Sequence, residues 1–167
     1  ESFTLTPNTA NGGDDFDPTL AQVVIDTNGN GVYDPGVDTV YVAGTNDPVL
    51  TPDQGITIFV LTNIPASQAD GDRAELRLTA ASRTGTGTPG TTFAGAGENG
   101  SNAVVGSTGA DADASGFLLV EAAAITLTKS ATVVDPFGGT TSVPGSVITY
   151  TLIANVTGTG TLANVAI

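Results

Sequence analysis

Glycine and proline interrupt this 167-residue chain so often that long helices have no room to form. The chain contains 22 glycines and 9 prolines, and threonine and valine dominate the segments between them. Glycine and proline break helices, whereas β-branched residues fit the pleated surface of a sheet. The sequence therefore predicts an all-β fold, in which short strands are separated by turns.

Two segments show the strand pattern most clearly. Residues 74 to 81 alternate polar and apolar side chains with a period of two, which predicts a half-buried strand. The predicted core positions of this strand are Leu76, Leu78 and Ala80, and the predicted solvent positions are Glu75, Arg77 and Thr79. Residues 56 to 61 are apolar on both faces, as expected for a central strand of a sandwich.

The distribution of predicted strands divides the chain into two domains. Residues 1 to 122 contain enough strands for an Ig-like β-sandwich, with residues 85 to 116 forming a long excursion that holds one short strand at 103 to 105. Residues 123 to 167 contain too few strands for a second sandwich, so we expect a partial one. Its predicted strands lie at 125 to 128, 147 to 156 and 162 to 167.

The predicted strand at 147 to 156 presents an apolar stripe. Alternation along the strand places five apolar side chains on one face: Ile148, Tyr150, Leu152, Ala154 and Val156. Such a face needs a second sheet against it. Because the partial domain has no second sheet, we expect another surface to cover this stripe.

The densest run of oxygen-bearing side chains lies in residues 26 to 38, Asp-Thr-Asn-Gly-Asn-Gly-Val-Tyr-Asp-Pro-Gly-Val-Asp. The run follows the calcium-loop pattern D-x-[DN]-x-[DN]-G, with Gly31 at the sharp bend. Ca²⁺ takes six to eight oxygen ligands, including a main-chain carbonyl. The predicted ligands are the side chains of Asp26, Asn28, Asn30, Asp34 and Asp38 and the carbonyl of Val32.

The loop departs from a helix-flanked EF-hand in two respects. Its twelfth position is Val37, and the last acidic residue comes one position late, as Asp38. Residues 20 to 25 and 39 to 43 on either side are apolar and β-branched, which predicts a loop between two strands. A turn without metal is the alternative, because Asn, Asp and Gly also form turns through their own side chains and backbone.

Composition excludes several classes of function. The net charge is −13, with only four basic residues, so the chain lacks the cationic surface that nucleic acids and anionic membranes require. No apolar run approaches the roughly 20 residues needed to cross a bilayer. The chain has neither histidine nor cysteine, so the usual base and thiol nucleophile are missing. We therefore expect a protein that is not an enzyme.

Two acidic clusters remain outside the calcium loop. The first comprises Asp14, Asp15 and Asp17, and the second comprises Asp70 and Asp72. Paired carboxylates can catalyse glycoside hydrolysis when a cleft holds them apart, but neither cluster is accompanied by aromatic platforms. We interpret the second cluster as a solvated loop. The first is either a solvated loop or a source of supplementary calcium ligands.

The C-terminal part of the chain resembles a known family. Leu-Thr-Lys-Ser at 127 to 130, Val-Pro-Gly at 143 to 145, Tyr-Thr at 150 to 151 and the Asn and Gly residues at 155 to 160 occur in a characteristic order. This order is similar to that of the Ig-like conserved repeat domain found in tandem on bacterial surface proteins. The chain has Asn-Val-Thr-Gly where that family usually has Asn-Thr-Gly. The resemblance covers only the N-terminal half of one repeat.

The calcium loop separately resembles the loops of β-sandwich repeats in serine-aspartate repeat adhesins. That resemblance implies the same six ligands, an Ig-like fold and a location on the cell surface. The adhesin loops usually carry Glu at the position of Asp38. An extracellular location also suits calcium loops of modest charge, which bind at about 10⁻⁴ to 10⁻³ M in extracellular modules.

These observations favour an extracellular structural protein of a bacterial cell surface. We expect a calcium-rigidified subunit of a filament, stalk or surface layer that forms a homopolymer through strand edges, with residues 2 to 6 as one candidate donor strand. The alternative function is an adhesin, or a carbohydrate- or receptor-binding module of a larger secreted protein, with cell-surface or matrix ligands. An accessory domain of a secreted hydrolase is a third reading.

Overall fold

A computed structural model of the protein describes residues 1 to 160. The strands in this range are β1 (Phe3–Asn8), β2 (Thr19–Ile25), β3 (Thr39–Val40), β4 (Ile58–Asn63), β5 (Arg73–Ser82), β6 (Thr92–Phe93), β7 (Ala103–Val104), β8 (Asp111–Leu119), β9 (Ala123–Val134) and β10 (Val147–Gly158). One 3-10 turn at Glu98–Gly100 is the helical element of this range. The all-β prediction is confirmed. None of the described residues forms a helix of the length and apolar character that a membrane span requires.

Contacts along the chain define two compact units. The first comprises residues 1 to 68 and 72 to 119, and the second comprises residues 69 to 71 and 120 to 167, described here as far as residue 160. The link between β8 and β9 therefore marks a division of the chain. The predicted boundary between residues 122 and 123 lies in the same link, and it stays a prediction.

Two three-stranded antiparallel sheets build the first unit. Their strand orders are β1-β5-β8 and β3-β2-β4. The core between them is formed by Leu5, Val23 and Tyr41, with Ile25, Ile58, Val60, Leu78 and Ala80 packed against it. Because these residues come from both sheets, the unit has the layered, sandwich-like arrangement that the alternating strands predict.

The predicted strand at 74 to 81 corresponds to β5. Leu78 and Ala80 pack against the core, as predicted, and Arg77 is exposed. Glu75 is half-buried rather than solvated, because its Oε1 accepts a 2.5 Å hydrogen bond from the Ser115 hydroxyl on β8. The alternation therefore identified the core side of the strand, but the adjacent strand partly covers the polar side.

The predicted excursion from 85 to 116 is shorter than the sequence suggested. The short strand predicted at 103 to 105 is β7, which pairs with β6. Strand β8 already begins at Asp111, where the composition is rich in aspartate and alanine and gives little sign of a strand. Pairing with β5 along its whole length holds this segment extended.

In the second unit, β9 and β10 form an antiparallel hairpin of two 12-residue strands. The predicted strand at 147 to 156 is β10, and the one predicted at 125 to 128 is part of β9. The strand predicted at 162 to 167 lies outside the described residues. A short segment at 69 to 71 joins this unit through Gly71, whose amide donates a 2.9 Å hydrogen bond to the carbonyl of Val120.

The hairpin has one apolar face and one hydroxyl-rich face. Opposite residues in an antiparallel pair share a face, and the register places Tyr150 beside Ala131, Leu152 beside Lys129 and Val156 beside Ile125. The other face carries Thr and Ser along both strands, for example Thr151 opposite Ser130. The apolar stripe is exposed, with Leu152 49% and Val156 56% accessible, and the amine of Lys129 lies 4.3 Å from the centroid of the Tyr150 ring on the same face.

Candidate functional site

The oxygen-rich loop connects β2 to β3, as predicted for a strand-flanked loop. Asp26 follows the last residue of β2 directly and is buried, with 8% of its surface accessible. Its backbone amide donates a 3.0 Å hydrogen bond to the carbonyl of Thr57, just before β4. The start of the loop is therefore fixed to the sheet.

Both carboxylate oxygens of Asp26 organise the loop. Oδ1 accepts a 2.7 Å hydrogen bond from the amide of Gly29, and Oδ2 accepts a 2.8 Å hydrogen bond from the amide of Gly31. These two glycines have φ angles of 71° and 75°, in the left-handed region that residues with a Cβ rarely adopt. Glycine at these positions thus allows the chain to wrap around the Asp26 carboxylate.

The two asparagines link this turn to Asp34. Their Oδ1 atoms accept hydrogen bonds from backbone amides two residues further on, Asn28 from Asn30 at 3.0 Å and Asn30 from Val32 at 2.8 Å. Their Nδ2 atoms donate to the same atom, Oδ2 of Asp34, over 2.9 and 2.7 Å. Three predicted ligand side chains therefore meet around one carboxylate oxygen.

Asp38 closes the loop from its other end. Its Oδ1 accepts a 3.1 Å hydrogen bond from the amide of Thr27, and its Oδ2 accepts a 2.7 Å hydrogen bond from the amide of Asp34. The structure thus brings all five predicted side-chain ligands into one hydrogen-bonded loop. Val32, predicted to contribute its carbonyl, lies in the same turn with an exposed side chain.

Tyr33 attaches the loop to β4, which lies in the same sheet as β2 and β3. Its ring meets the ring of Phe59 on β4 edge to face, with 6.1 Å between the ring centroids. Such aromatic pairs contribute about 0.5 to 1.5 kcal/mol beyond the burial of their area. A change in the rigidity of the loop can therefore reach the core strands through this contact.

The donor set of the loop is compatible with a hard cation. Carboxylate, amide and main-chain oxygens are the ligands that Ca²⁺ prefers, and the loop holds three carboxylates in a chain of net charge −13. Within residues 1 to 160, no three acidic side chains form a metal-holding group by themselves. A cation in this loop would therefore depend on the oxygens of Asn28, Asn30 and the backbone as well.

The same contacts describe how the loop closes without a metal. Every carboxylate named above accepts hydrogen bonds from N–H groups, and each asparagine forms the local turn that its residue type favours. A bound cation would compete with the two amide groups that donate to Asp34. The metal-binding and metal-free interpretations of the sequence therefore both stay open at the level of contacts.

The first acidic cluster has a structural role at the edge of β5. The Oδ2 atom of Asp14 accepts a 2.7 Å hydrogen bond from the amide of Glu75, and Oδ2 of Asp15 accepts one of 2.9 Å from the amide of Arg73. The pairing of β1 with β5 stops at Asn8 and Arg77. Beyond that point, the two carboxylates accept hydrogen bonds from backbone amides of β5. Asp17 is exposed.

Asp70 lies in an exposed turn, as interpreted from the sequence, and it also has defined hydrogen-bond partners. Its carboxylate accepts hydrogen bonds from the hydroxyl and the amide of Thr159, at 2.6 and 3.0 Å, and from the amide of Ala122, at 2.8 Å. Hydrogen bonding from the Thr159 hydroxyl, and then from the Ala122 amide, lowers the pKa of Asp70. The sequence carries no local signal for this role, because the partners lie far along the chain.

No family model, curated protein or solved structure matches this chain. The resemblances to the bacterial surface repeat and to the adhesin loops therefore stay predictions.

Proposed function

We propose that the chain is an extracellular structural protein of a bacterial cell surface, a subunit of a filament, stalk or surface layer that assembles through its strand edges. The observation that carries the proposal is the exposed apolar face of the β9-β10 hairpin. In the described residues of β10 there is no charged side chain, and Ile148, Tyr150 and Leu152 are each 43% to 55% accessible.

The size of this face supports a role in association. Two paired 12-residue strands span about 40 Å by about 10 Å, or roughly 400 Å² in projection. Contiguous apolar patches of a few hundred Å² mark interaction surfaces on soluble proteins. Covering the face would stabilise an assembly by roughly 25 cal/mol for each Å² of apolar surface removed from water.

Calcium has a rigidifying role in this proposal. Asp26, Asn28, Asn30, Asp34, Asp38 and the carbonyl of Val32 are the proposed ligands. A cation would neutralise part of the repulsion among the three carboxylates of the loop, where the backbone amide of Asp34 donates a 2.7 Å hydrogen bond to the Asp38 carboxylate. Because the loop packs on β4 through Tyr33, its stiffening would reduce the motion of the sheet edge.

An adhesin, or a carbohydrate- or receptor-binding module, is the alternative function. Such a module works as a single copy that recognises a cell-surface or matrix ligand, so it predicts a stable monomer. A structural subunit predicts self-association that depends on the hairpin face. The two functions can therefore be separated by the state of the purified chain.

The experiment measures mass by light scattering and morphology by electron microscopy over a range of protein and calcium concentrations. We expect concentration-dependent oligomers or filaments of the wild type. Leu152→Lys, on the apolar face, should reduce them strongly, because a desolvated charge is costly. Thr151→Lys is the matched control, since it adds the same charge on the other face of the same strand. A wild type that stays monomeric at every concentration would refute the structural role.

A further inference from the structure

The sheet edges of the described residues differ in how open they are to pairing. Edge β1 is occupied near its start, where the Phe3 amide donates to the Pro48 carbonyl over 3.0 Å. Edge β3 has only two residues, and edge β8 carries Asp111 and Asp113. Short or charged edges discourage pairing with another chain. Strands β4 and β10 are edges of six and twelve residues that carry no charged side chain.

The first unit also leaves part of its inner face open. Opposite residues place Ala112 beside Ala80 and Ala114 beside Leu78 on the core side of the β1-β5-β8 sheet. Ala80 and Leu78 pack against the core, but Ala112 and Ala114 are exposed. The inner face of β8 therefore has no strand above it among the residues that the structure describes.

A cleft leads from this open face to the edge of β4. A cavity of about 310 Å³ lies between β1, β5 and the start of β4, and its lining includes Leu5, Ile58 and Ala80. A neighbouring depression of about 380 Å³ shares Phe3 and Ala80 with it and extends to Ala112 on β8. The two openings join β4 to β8 across the floor formed by β5. The position beside β4 is lined mainly by apolar side chains. Toward β8 the lining also includes Glu1, Ser82, Thr108 and Asp111.

We propose that strand β10 of a second copy pairs with the free edge of β4 and lays its apolar face over β8. This inference rests on the proposed structural function and names the surfaces that meet. The added strand extends the β3-β2-β4 sheet with the hairpin of the second copy. Its Ile148, Tyr150 and Leu152 side chains enter the cleft, and its threonines remain toward solvent.

The charge of the two surfaces and the faces left uncovered by other arrangements favour this pairing over the simpler ones. Neither β4 nor the inner positions of β8 carry a charge, which matches the uncharged strand β10. The same hairpin face carries one charged side chain, Lys129 on β9, whose amine lies over the Tyr150 ring. Two hairpin faces packed on each other would leave the edge of β4 and the inner face of β8 uncovered. Pairing β10 with β10 of another copy would leave both apolar faces bare. Pairing with β4 covers both faces and adds main-chain hydrogen bonds.

The contact joins two different surfaces, so it is heterologous. Each copy that receives a hairpin at β4 still offers its own hairpin to the next copy. Heterologous contacts of this kind form rings if the rotation closes and filaments if it does not. The pairing therefore gives the proposed assembly a head-to-tail direction. Residues 2 to 6 are not required as donor, because β1 is already paired with β5 in its own sheet.

The test uses engineered cysteines, since the chain has none of its own. Ala114→Cys protein is mixed with a second protein that carries one cysteine at successive positions of β10, from 148 to 156, and the mixture is oxidised. Any disulfide between the two proteins is intermolecular. We expect cross-links at one or two neighbouring members of the set 148, 150, 152, 154 and 156, which share the apolar face, because a disulfide needs Cα atoms within about 7 Å of each other. Positions 149, 151, 153 and 155 should cross-link several-fold less.

Two controls keep the outcomes separate. In the first control, Thr6→Cys on the outer face of β1 takes the place of Ala114→Cys, and the alternation of cross-links along β10 should disappear. In the second, Ala112→Cys takes its place, and the alternation should remain. Circular dichroism identifies any variant that fails to fold. Cross-linking without alternation, or assembly in light scattering without cross-links at Ala112 or Ala114, overturns the pairing but leaves the structural function. A wild type that does not self-associate refutes both.

Discussion

The hydroxyl of Tyr41 donates a 2.7 Å hydrogen bond to Oδ1 of Asp47, and the hydroxyl oxygen of Tyr41 accepts one of 3.0 Å from the buried amide of Leu5. On its other side, Asp47 binds Arg83 through a 2.9 Å ion pair. Strand β1, the loop after β3 and the end of β5 are therefore tied together at one point. Tyr41 is also a core residue, so this polar contact fixes how the two sheets meet.

Tyr41→Phe should destabilise the first unit by about 1 to 3 kcal/mol, because it leaves the buried amide of Leu5 without an acceptor. The free energy of unfolding in urea measures this loss. Tyr150→Phe removes a hydroxyl from an exposed ring and is the control, with an expected change near zero. Equal effects of the two substitutions would contradict the role of the Tyr41 hydroxyl.

The same contact predicts a dependence of stability on alkaline pH. Burial, and then the neighbouring Asp47 carboxylate, raise the pKa of Tyr41 in the folded state. A raised pKa means that the folded state favours the protonated phenol. Its contribution is therefore complete below the unfolded tyrosine pKa of about 10 and is lost as the pH rises through the folded pKa. Tyr41→Phe should flatten this part of the pH profile.

Asp70 should make the stability of the second unit depend on pH in the acid range. Its pKa is lowered by hydrogen bonds from Thr159 and Ala122, so the folded state favours the carboxylate. The stabilisation is present above the ordinary aspartate pKa of about 3.9 and is lost as the pH falls through the lowered folded pKa. The protection of the Ala122 and Thr159 amides from hydrogen exchange, relative to the intrinsic rate at each pH, should fall over that range.

Asp70→Asn should remove most of this acid dependence and speed exchange at the same two amides at neutral pH. Asp17→Asn, at an exposed carboxylate of the first unit, makes the same change in charge and should leave them protected. If exchange at Ala122 and Thr159 is unchanged in Asp70→Asn, the carboxylate does not hold the ends of the hairpin together.

The sequence predicted the structural features that depend on local residue patterns. Alternation located β5 and the side of it that carries Leu78 and Ala80, and the spacing of oxygen-bearing residues located a loop in which Asp26 and Asp38 bind the same turn. These features depend on residues close together in the chain. The side-chain period of a strand and the left-handed turns at Gly29 and Gly31 are visible without tertiary information.

The sequence did not predict contacts set by strand order. The role of Asp70 depends on Thr159, which is remote in sequence, and the extended form of β8 depends on pairing with β5 rather than on its own composition. The open cleft beside β4 depends on which strand ends each sheet. Propensity and periodicity do not specify strand order, so these features required the folded arrangement.

Calcium binding by the loop is tested most directly by thermal unfolding of chelator-treated protein with and without added Ca²⁺. At tenfold excess over the dissociation constant, binding stabilises the native state by about 1.4 kcal/mol, which corresponds to a rise of about 3 to 6 °C in Tm for a chain of this size. Asp26→Ala and Asp34→Asn should remove the calcium-dependent rise. Glu98→Ala, which removes an exposed carboxylate outside the loop, should retain it. Identical melting curves of the wild type with calcium and with chelator would contradict the proposed calcium site.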